Sequence, residues 1–397
     1  MSEYLIDGIV THKDDPHFND ALAGSYKGSE RPLCLCMTPG IPMYIARVQE
    51  ETYALKRMPN SGQIHHPDCD SYEIPPELSG RGEVDDKAIS EDHASGITNL
   101  KLDFALSKVA VNRAGPKGDS QEATVVKADT TKLTIRSLLH YLYEEAGLNR
   151  WSPNMAGKRN WFIVRKYLML AVQNKVTRKM PLAESLLIPE QFSLDHKDEI
   201  VARRRKTLAK LKKQGKKTPM GILVGEVKEI GEARYGHKLV IKHMPDTPVY
   251  MDENVFKRIN KAFSTELAFF YENESIHLLA ICTFYLSPTG SPQVDTISFM
   301  IVNSNWLPFE NIEELELLER LTRSDRHFIK GLRYNLTAGD VIASVLLTDT
   351  NETPTAVYLV PAGVNENYYD ELNRVIENSE LASKIIDINN EDSLSIQ

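Results

Sequence analysis

Three of the four cysteines lie between positions 34 and 69, in the order Cys34-x-Cys36 and then His65-His66-x-x-Cys69. Thiols and an imidazole drawn from two segments some thirty residues apart have to meet if they act together, and that requirement constrains the local fold more tightly than any other feature. Four such donors are what tetrahedral zinc takes in a closed structural site with no position left for substrate. The alternative, a set of ordinary buried thiols beside a surface histidine, does not account for the clustering. His65 and His66 compete for the fourth place. The two-residue gap from His66 to Cys69 makes the tighter chelate loop, so the expected ligands are Cys34, Cys36, His66 and Cys69. Between the pairs, IPMYIARV and ETYALKRM are β-prone runs separated by Gln49 and Glu50. They predict a hairpin with the ligand pairs at its two ends.

At 397 residues the chain is long enough for two or three folding units, so zinc is not needed to rescue a tiny core. No run approaches the ~20 consecutive apolar residues of a membrane span, and MSEYLIDGIVTHKDD lacks the basic-then-apolar order of a secretory signal. The expected location is the cytoplasm, with no membrane partner. Few cysteines, clustered, argue for metal ligation rather than a disulfide framework. Cys282, inside HLLAICTFYL, reads as a small core residue.

The net charge of −8 conceals a segregation of sign. Residues 158–217 carry 17 Lys and Arg against 5 Asp and Glu, a local +12, while residues 364–397 hold eight acids and two basic residues. Helical spacing of Ile135, Leu138, Leu139, Leu142 and Ala146 predicts one helix ending at Gly147, and Trp161, Val164, Leu168 and Ala171 mark a second. A third, almost wholly basic, is expected from about Lys197 to Lys213. Two helices with a basic second member suggest a helix-turn-helix-like element. The candidate nucleic-acid contacts are Lys158, Arg159, Arg165, Lys166, Arg203, Arg204, Arg205, Lys212 and Lys213. Such contacts would be made to phosphates, with steep salt dependence and little sequence preference. A solvated face, or docking of an acidic protein partner, would use the same residues.

From Met220 the period changes to two, and GILVGEVKEI with HKLVIKHM predicts a hairpin. In GEVKE, Glu226 and Lys228 stand two apart on a strand and are expected to share a face. With an aspartate such as Asp252 or Asp295 they would suit a Mg²⁺-dependent nuclease. Cross-strand charge pairing is the plainer explanation of the same residues. The catalytic candidates are therefore Glu226, Lys228 and Asp295, with Mg²⁺ required only in that case. The expected architecture is α+β: a β-rich zinc-binding unit over 1–125, a helical basic segment over 126–219, and a mixed α/β, restriction-endonuclease-like unit over 220–397. SYEIPPELSGRGEVDDKAISEDHASG, rich in Pro, Gly, Ser and acid, reads as loop and linker over 71–96.

The ligand pattern resembles a SWIM-type zinc finger, except that its second pair runs His then Cys. FIKGLRYN, VIASVLLTDT and PTAVYLVP resemble the strands of PD-(D/E)XK nuclease domains. There the second strand carries Pro-Asp and the third Glu with Lys. Here Ala343 and Ser344 occupy the Pro-Asp place, and 357–360 offers no carboxylate or lysine; Asp349, Lys330 and Arg333 persist without making a complete site. RPLCLC, YALKRMPNSGQIHHPDCDSYEIPPELSGRGEV, LLHYLYEEAGLNRW, GEVKE and KGLRYN with LLTDT together resemble an uncharacterised domain-of-unknown-function family. That family is encoded mostly on plasmids and integrative elements of proteobacteria. The resemblance implies a genomic setting and supplies no mechanism. The function expected from all of this is a zinc-binding, nucleic-acid-associated accessory protein of a mobile element, without catalysis. An active nuclease and an interaction scaffold in a conjugation or defence complex are the alternatives.

Overall fold

The computed structural model describes residues 3–388 apart from 27, 50, 59, 93–95, 110–128, 213–214, 216 and 351–352. The chain opens with strands β1 (Glu3–Ile6) and β2 (Ile9–His12), helix α1 (Phe18–Ser25), and strands β3 (Leu33–Cys34), β4 (Ile41–Gln49) and β5 (Thr52–Arg57). They form one sheet in the order β2-β1-β3-β4-β5. The hairpin expected between 41 and 58 is β4 with β5. Because its strands are antiparallel, the start of β4 and the end of β5 lie side by side, and the two ligand pairs meet at that open end. Tyr4, Ile6, Leu22, Ile41 and Met43 pack there against Cys34 and Cys69.

Residues 71–96 are not a linker. Tyr72, Ile74, Leu78, Val84, Ala88 and Ile89 are all buried, as is the side chain of Arg81. The segment has little regular structure because its backbone bonds to distant chain instead: Gly80 N–H donates to Leu332 O, and Ala343 N–H donates to Leu78 O. Short strands β6 (Ile89–Glu91), β7 (Thr98–Leu100) and β8 (Ser107–Val109) follow.

The expected helices appear as α2 (Ile135–Glu145) and α3 (Trp161–Ala171), with β9 (Arg150–Trp151) between them. Each begins at a side-chain cap, Thr134 accepting from Ser137 N–H and Asn160 from Ile163 N–H. Gly147, at φ +64°, takes the left-handed place after α2. Strands β10 (Lys175–Thr177), β11 (Met180–Pro181) and β12 (Leu186–Leu187), helix α4 (Lys197–Ala209) and strand β13 (Lys217–Pro219) complete this stretch. No tight turn joins α2 to α3, since residues 146–160 intervene and β9 leaves to pair with a strand far along the chain. The pair therefore lacks the short connection of a helix-turn-helix.

Next come β14 (Gly221–Glu232), β15 (His237–Ile241), β16 (Val249–Met251), helices α5 (Glu253–Ala262) and α6 (Ser264–Glu272), and β17 (His277–Leu286) with β18 (Pro292–Val302). The first half of β14 pairs with β17 and the second half with β15, both antiparallel. β15 pairs antiparallel with β16, β16 runs parallel to β18 at Tyr250–Gln293, and β18 returns antiparallel to β17. The five strands thus close on themselves. Leu223, Leu239, Ile241, Met251, Ala280, Cys282, Phe284 and Phe299 face the interior with Val255 and Ile259 of α5. Ile222, Val224, Leu279, Ile281, Met300 and Val302, on the opposite face, pack with Leu138, Leu142, Val164 and Leu168 of α2 and α3. Cys282 is the core residue expected, and burial pushes its thiol up to about 12.

The chain ends with α7 (Ile312–Arg323), β19 (Phe328–Lys330), β20 (Val345–Leu347), β21 (Thr355–Val360), α8 (Glu366–Glu377) and β22 (Ala382–Asp387). The sheet order is β22-β21-β20-β19-β9, antiparallel except for β21 with β22. Strand pairing crosses both borders suggested by the sequence: β7 with β10 and β8 with β13 span 125, while β12 with β14 and β9 with β19 span 219.

A Cβ at Gly80 would lie 2.0 Å from Arg333 O, a backbone atom with no room to yield. Gly80→Ala is expected to lower stability by about 2–3 kcal/mol. A urea unfolding midpoint equal to wild type would show that the 71–96 strap is not clamped to the C-terminal sheet.

Candidate metal centre

Cys34 lies at the end of β3, Cys36 in the turn after it, and His65 and Cys69 in the loop that follows β5. Their ligand atoms all lie within 4.8 Å of one another. Cys34 Sγ is 3.6 Å from Cys69 Sγ, and His65 Nδ1 is 3.2 Å from Cys36 Sγ and 3.7 Å from Cys69 Sγ. With Zn–S of ~2.3 Å and Zn–N of ~2.0 Å, the edges of a tetrahedron are about 3.5–3.8 Å, close to these three separations, and the remaining ones stay within 4.8 Å. Three thiols and one imidazole suit that ion in chemistry as well.

The imidazole that stands with the three thiols is that of His65, whereas the spacing favours His66. Cys69 N–H donates to His66 O, closing a turn that sends the His66 side chain to the exposed surface, where its Nδ1 accepts from Asp68 N–H. His65 turns inward and is 2% exposed. Its Nδ1 is the nitrogen that meets the sulfurs, and its buried Nε2 has no partner among the described residues. The shorter chelate loop favoured by counting residues is spent on the backbone turn.

The hydrogen bond with Cys34 holds the Cys69 thiol down at about 4, helped by His65 and by Ser71 N–H, while the same bond and burial drive Cys34 well above the thiol range. Burial raises Cys36. A divalent ion would relieve this by stabilising all three thiolates. Around the site, Arg150 of β9 donates to Cys69 O at 3.1 Å, Asp70 pairs with Lys13 at 2.7 Å, and Asp68 lies 3.6 Å from His327. The ligand loop is thereby tied to the first strands and to the C-terminal sheet.

The nuclease candidates are not brought together. Glu226 is buried on β14, where its carboxylate meets Lys242 Nζ and His277 Nδ1 at 2.8 Å each and His243 at 3.6 Å. Burial alone would raise Glu226, but His243, His277 and Lys242 hold it far below the carboxylate range. A bulge between Val227 and Glu229 makes Lys228 the extra residue and breaks the shared face, leaving Lys228 exposed. Asp295 pairs with Lys108. The β17 partner of Glu226, Leu279, pairs with Met300, five residues along β18 from Asp295, or roughly 16 Å of strand. Asp252 caps α5 instead. In the C-terminal sheet, Asp349 binds Arg326, Lys330 binds Glu314, and Arg333 binds Glu310, three separate ion pairs.

The basic candidates divide into two groups. Arg159 donates to Leu148 O and Asn305 O, Arg165 to Ile188 O, and buried Arg204 pairs with Asp246, so these three hold the fold together. Arg203 is bound by Glu190 and Glu199. Lys158, Lys166, Arg205 and Lys212 are exposed, with no acidic partner among the described residues. Lys213 lies outside the described residues. The sequence did not reveal Glu190 and Asp246 as the partners that consume Arg203 and Arg204.

The structure is thus a mixed α+β protein with a Cys₃His cluster of metal-binding geometry. The chain belongs to the family described as "Protein of unknown function (DUF1173)", whose model matches residues 4–386. No curated protein and no solved structure matches it. Among the described residues, no helix is long and apolar enough to cross a membrane.

Purified protein is expected to contain one zinc per chain by metal analysis. Cys36→Ser and His65→Ala should lose most of it, and His66→Ala should keep it. Equal zinc in the His65 and His66 variants would contradict the assignment.

Proposed function

We propose that the protein is a zinc-stabilised, nucleic-acid-associated accessory protein of a bacterial mobile element, acting in the cytoplasm without catalysis. The observation that carries this is the exposed tail of α4. Arg205, Lys206, Lys210 and Lys212 stand out from the surface without acidic partners among the described residues, while neighbouring Arg203 and Arg204 are paired with acids. Four unneutralised cations within eight residues attract phosphates and lose that attraction as salt rises. Their arrangement carries no means of reading bases, which suits binding with little sequence preference.

The dispersal of Glu226, Lys228 and Asp295 supports the reading without catalysis, because these three do not form one metal-holding set. The C-terminal order of helix, three antiparallel strands, helix and parallel strand supports a nuclease-like scaffold that binds without cutting. Buried Ala343 and Ser344 stand before β20, and β21 brings no carboxylate. Zinc would hold the N-terminal loop rather than meet a substrate, since all four of its positions are taken by side chains.

Reversal of Arg205, Lys206 and Lys210 to Glu is expected to weaken DNA or RNA binding at least tenfold at about 0.1 M salt and to flatten its salt dependence. Mg²⁺ or Mn²⁺ should produce no cutting in wild type or in Glu226→Ala. Unchanged binding after charge reversal would remove the basis for this function. Cutting that vanishes in Glu226→Ala would replace it with a nuclease.

A further inference from the structure

The closed ring of β14, β15, β16, β18 and β17 has a recognisable connectivity. Numbered in sequence, its strands run 1-2-3-5-4 and back to 1, with strand 3 parallel to strand 5 and the helices inserted between strands 3 and 4. That is the Greek-key barrel of the OB-fold, whose strand 2–3 wall and adjoining loops serve as a binding surface for oligonucleotides and oligosaccharides. In this protein the β14–β17–β18 wall is covered by α2 and α3. The wall made by the second half of β14 with β15 and β16 carries the alternate residues.

Those residues are informative. Leu239, Val249 and Met251 face the core, which puts Lys238 and Tyr250 on the outside. Register aligns Gly231, Lys238, Tyr250 and Gln293 in one row across four strands. At the end of this row, the loop between β14 and β15 projects Tyr235, 80% exposed, with the Arg234 guanidinium 5.4 Å from its ring centre. A large aromatic ring left so open at a loop tip gains nothing in folding; it offers a flat surface for stacking. Lys228, exposed at the β14 bulge, adds positive charge along that strand, whereas Lys242 is held by Glu226. Glu232 and Glu229 oppose that charge, the latter pairing with Lys238 at 3.3 Å on the exposed surface, where a phosphate can compete for the lysine.

We propose that this wall seats single-stranded nucleic acid, with bases stacked on Tyr235 and Tyr250 and the backbone held by Arg234 and Lys238. The inference rests on the nucleic-acid function proposed above and assigns it a second surface, distinct from α4, that distinguishes single strands from duplex. Stacking needs an unpaired base, which a duplex does not present.

The test is fluorescence anisotropy of a labelled oligothymidylate of about 20 nucleotides with the full chain, beside a duplex of equal length. Tyr235→Ala is expected to weaken single-strand binding about tenfold, Tyr235→Trp to retain it, and Lys238→Ala to weaken it severalfold, while duplex binding stays as in wild type. Tyr235 is a loop-tip residue, so its variants are expected to unfold with wild-type midpoints. If Tyr235→Ala binds the single strand as wild type does, while reversal of Arg205, Lys206 and Lys210 abolishes binding, α4 is the site. The barrel inference is then overturned and the proposed function stands. Displacement by polyglutamate as effective as by unlabelled oligonucleotide would overturn it too, because the wall would then respond to charge alone. If neither DNA nor RNA binds, both proposals fall.

Discussion

The structure depends on one buried guanidinium. The Arg81 side chain is 6% exposed and meets Glu73 at 2.9 Å, Glu144 and Asp85 at 3.2 Å, Glu145 at 3.4 Å and Glu91 at 3.9 Å. Arg57 and Lys175 join the same acids, Lys175 reaching Glu145 at 2.7 Å. These residues come from β5, the 71–96 strap with its strand β6, α2 and β10. Burial raises Glu144 even beside Arg81, and it holds the Tyr334 hydroxyl at 2.7 Å. Burial opposes ionisation of Glu145 as well, but Lys175, Arg57 and Arg81 together keep it charged. Desolvating so many charges is costly, and their mutual attraction offsets that only while every partner is in place. The network is therefore a poor source of net stability and a strong enforcer of one arrangement.

The metal centre and this network are coupled by sequence. Glu73 follows Cys69 by four residues, and Gly62, ahead of His65, packs directly on the Glu73 side chain. Fixing the 65–69 loop at the open end of the hairpin therefore fixes the carboxylate on which Arg57 and Arg81 converge. Arg150, bonded to Cys69 O, carries the same constraint into β9 and so to the C-terminal sheet. A zinc ion here would organise a junction among segments distant in sequence.

Much of the local structure was legible, because local structure writes itself in periodicity and caps. The β4–β5 hairpin, α2, α3 and the β14–β15 hairpin appear where alternation or helical spacing placed them. What could not be read was set by distant partners. The 71–96 strap has the composition of a linker, yet its glycines are there for close approach: Gly80 against Arg333 O and Gly82 against Pro76 O. Arg150–Trp151, too short a strand to announce itself, finds its place only through β19. At the metal site three ligands were evident from residue type, but the choice between adjacent histidines turned on a backbone hydrogen bond that spacing does not encode. The basic run likewise looked uniform, because Glu190 and Asp246, which neutralise Arg203 and Arg204, lie 13 and 42 residues away.

Glu226 gives β14 something its neighbours cannot. The preceding residues, Gly221 to Gly225, are buried on both faces, with Leu223 turned to the barrel and Ile222 and Val224 to the helices. Sliding such a strand by one position exchanges one aliphatic environment for another, so greasy contacts by themselves discriminate poorly between alignments. A carboxylate that must arrive opposite His277 and Lys242 tolerates no such shift, since a misplaced strand would strand an anion in oil. The acid that resembled part of a catalytic set is better understood as the index mark that tells two adjoining cores which residue belongs to which.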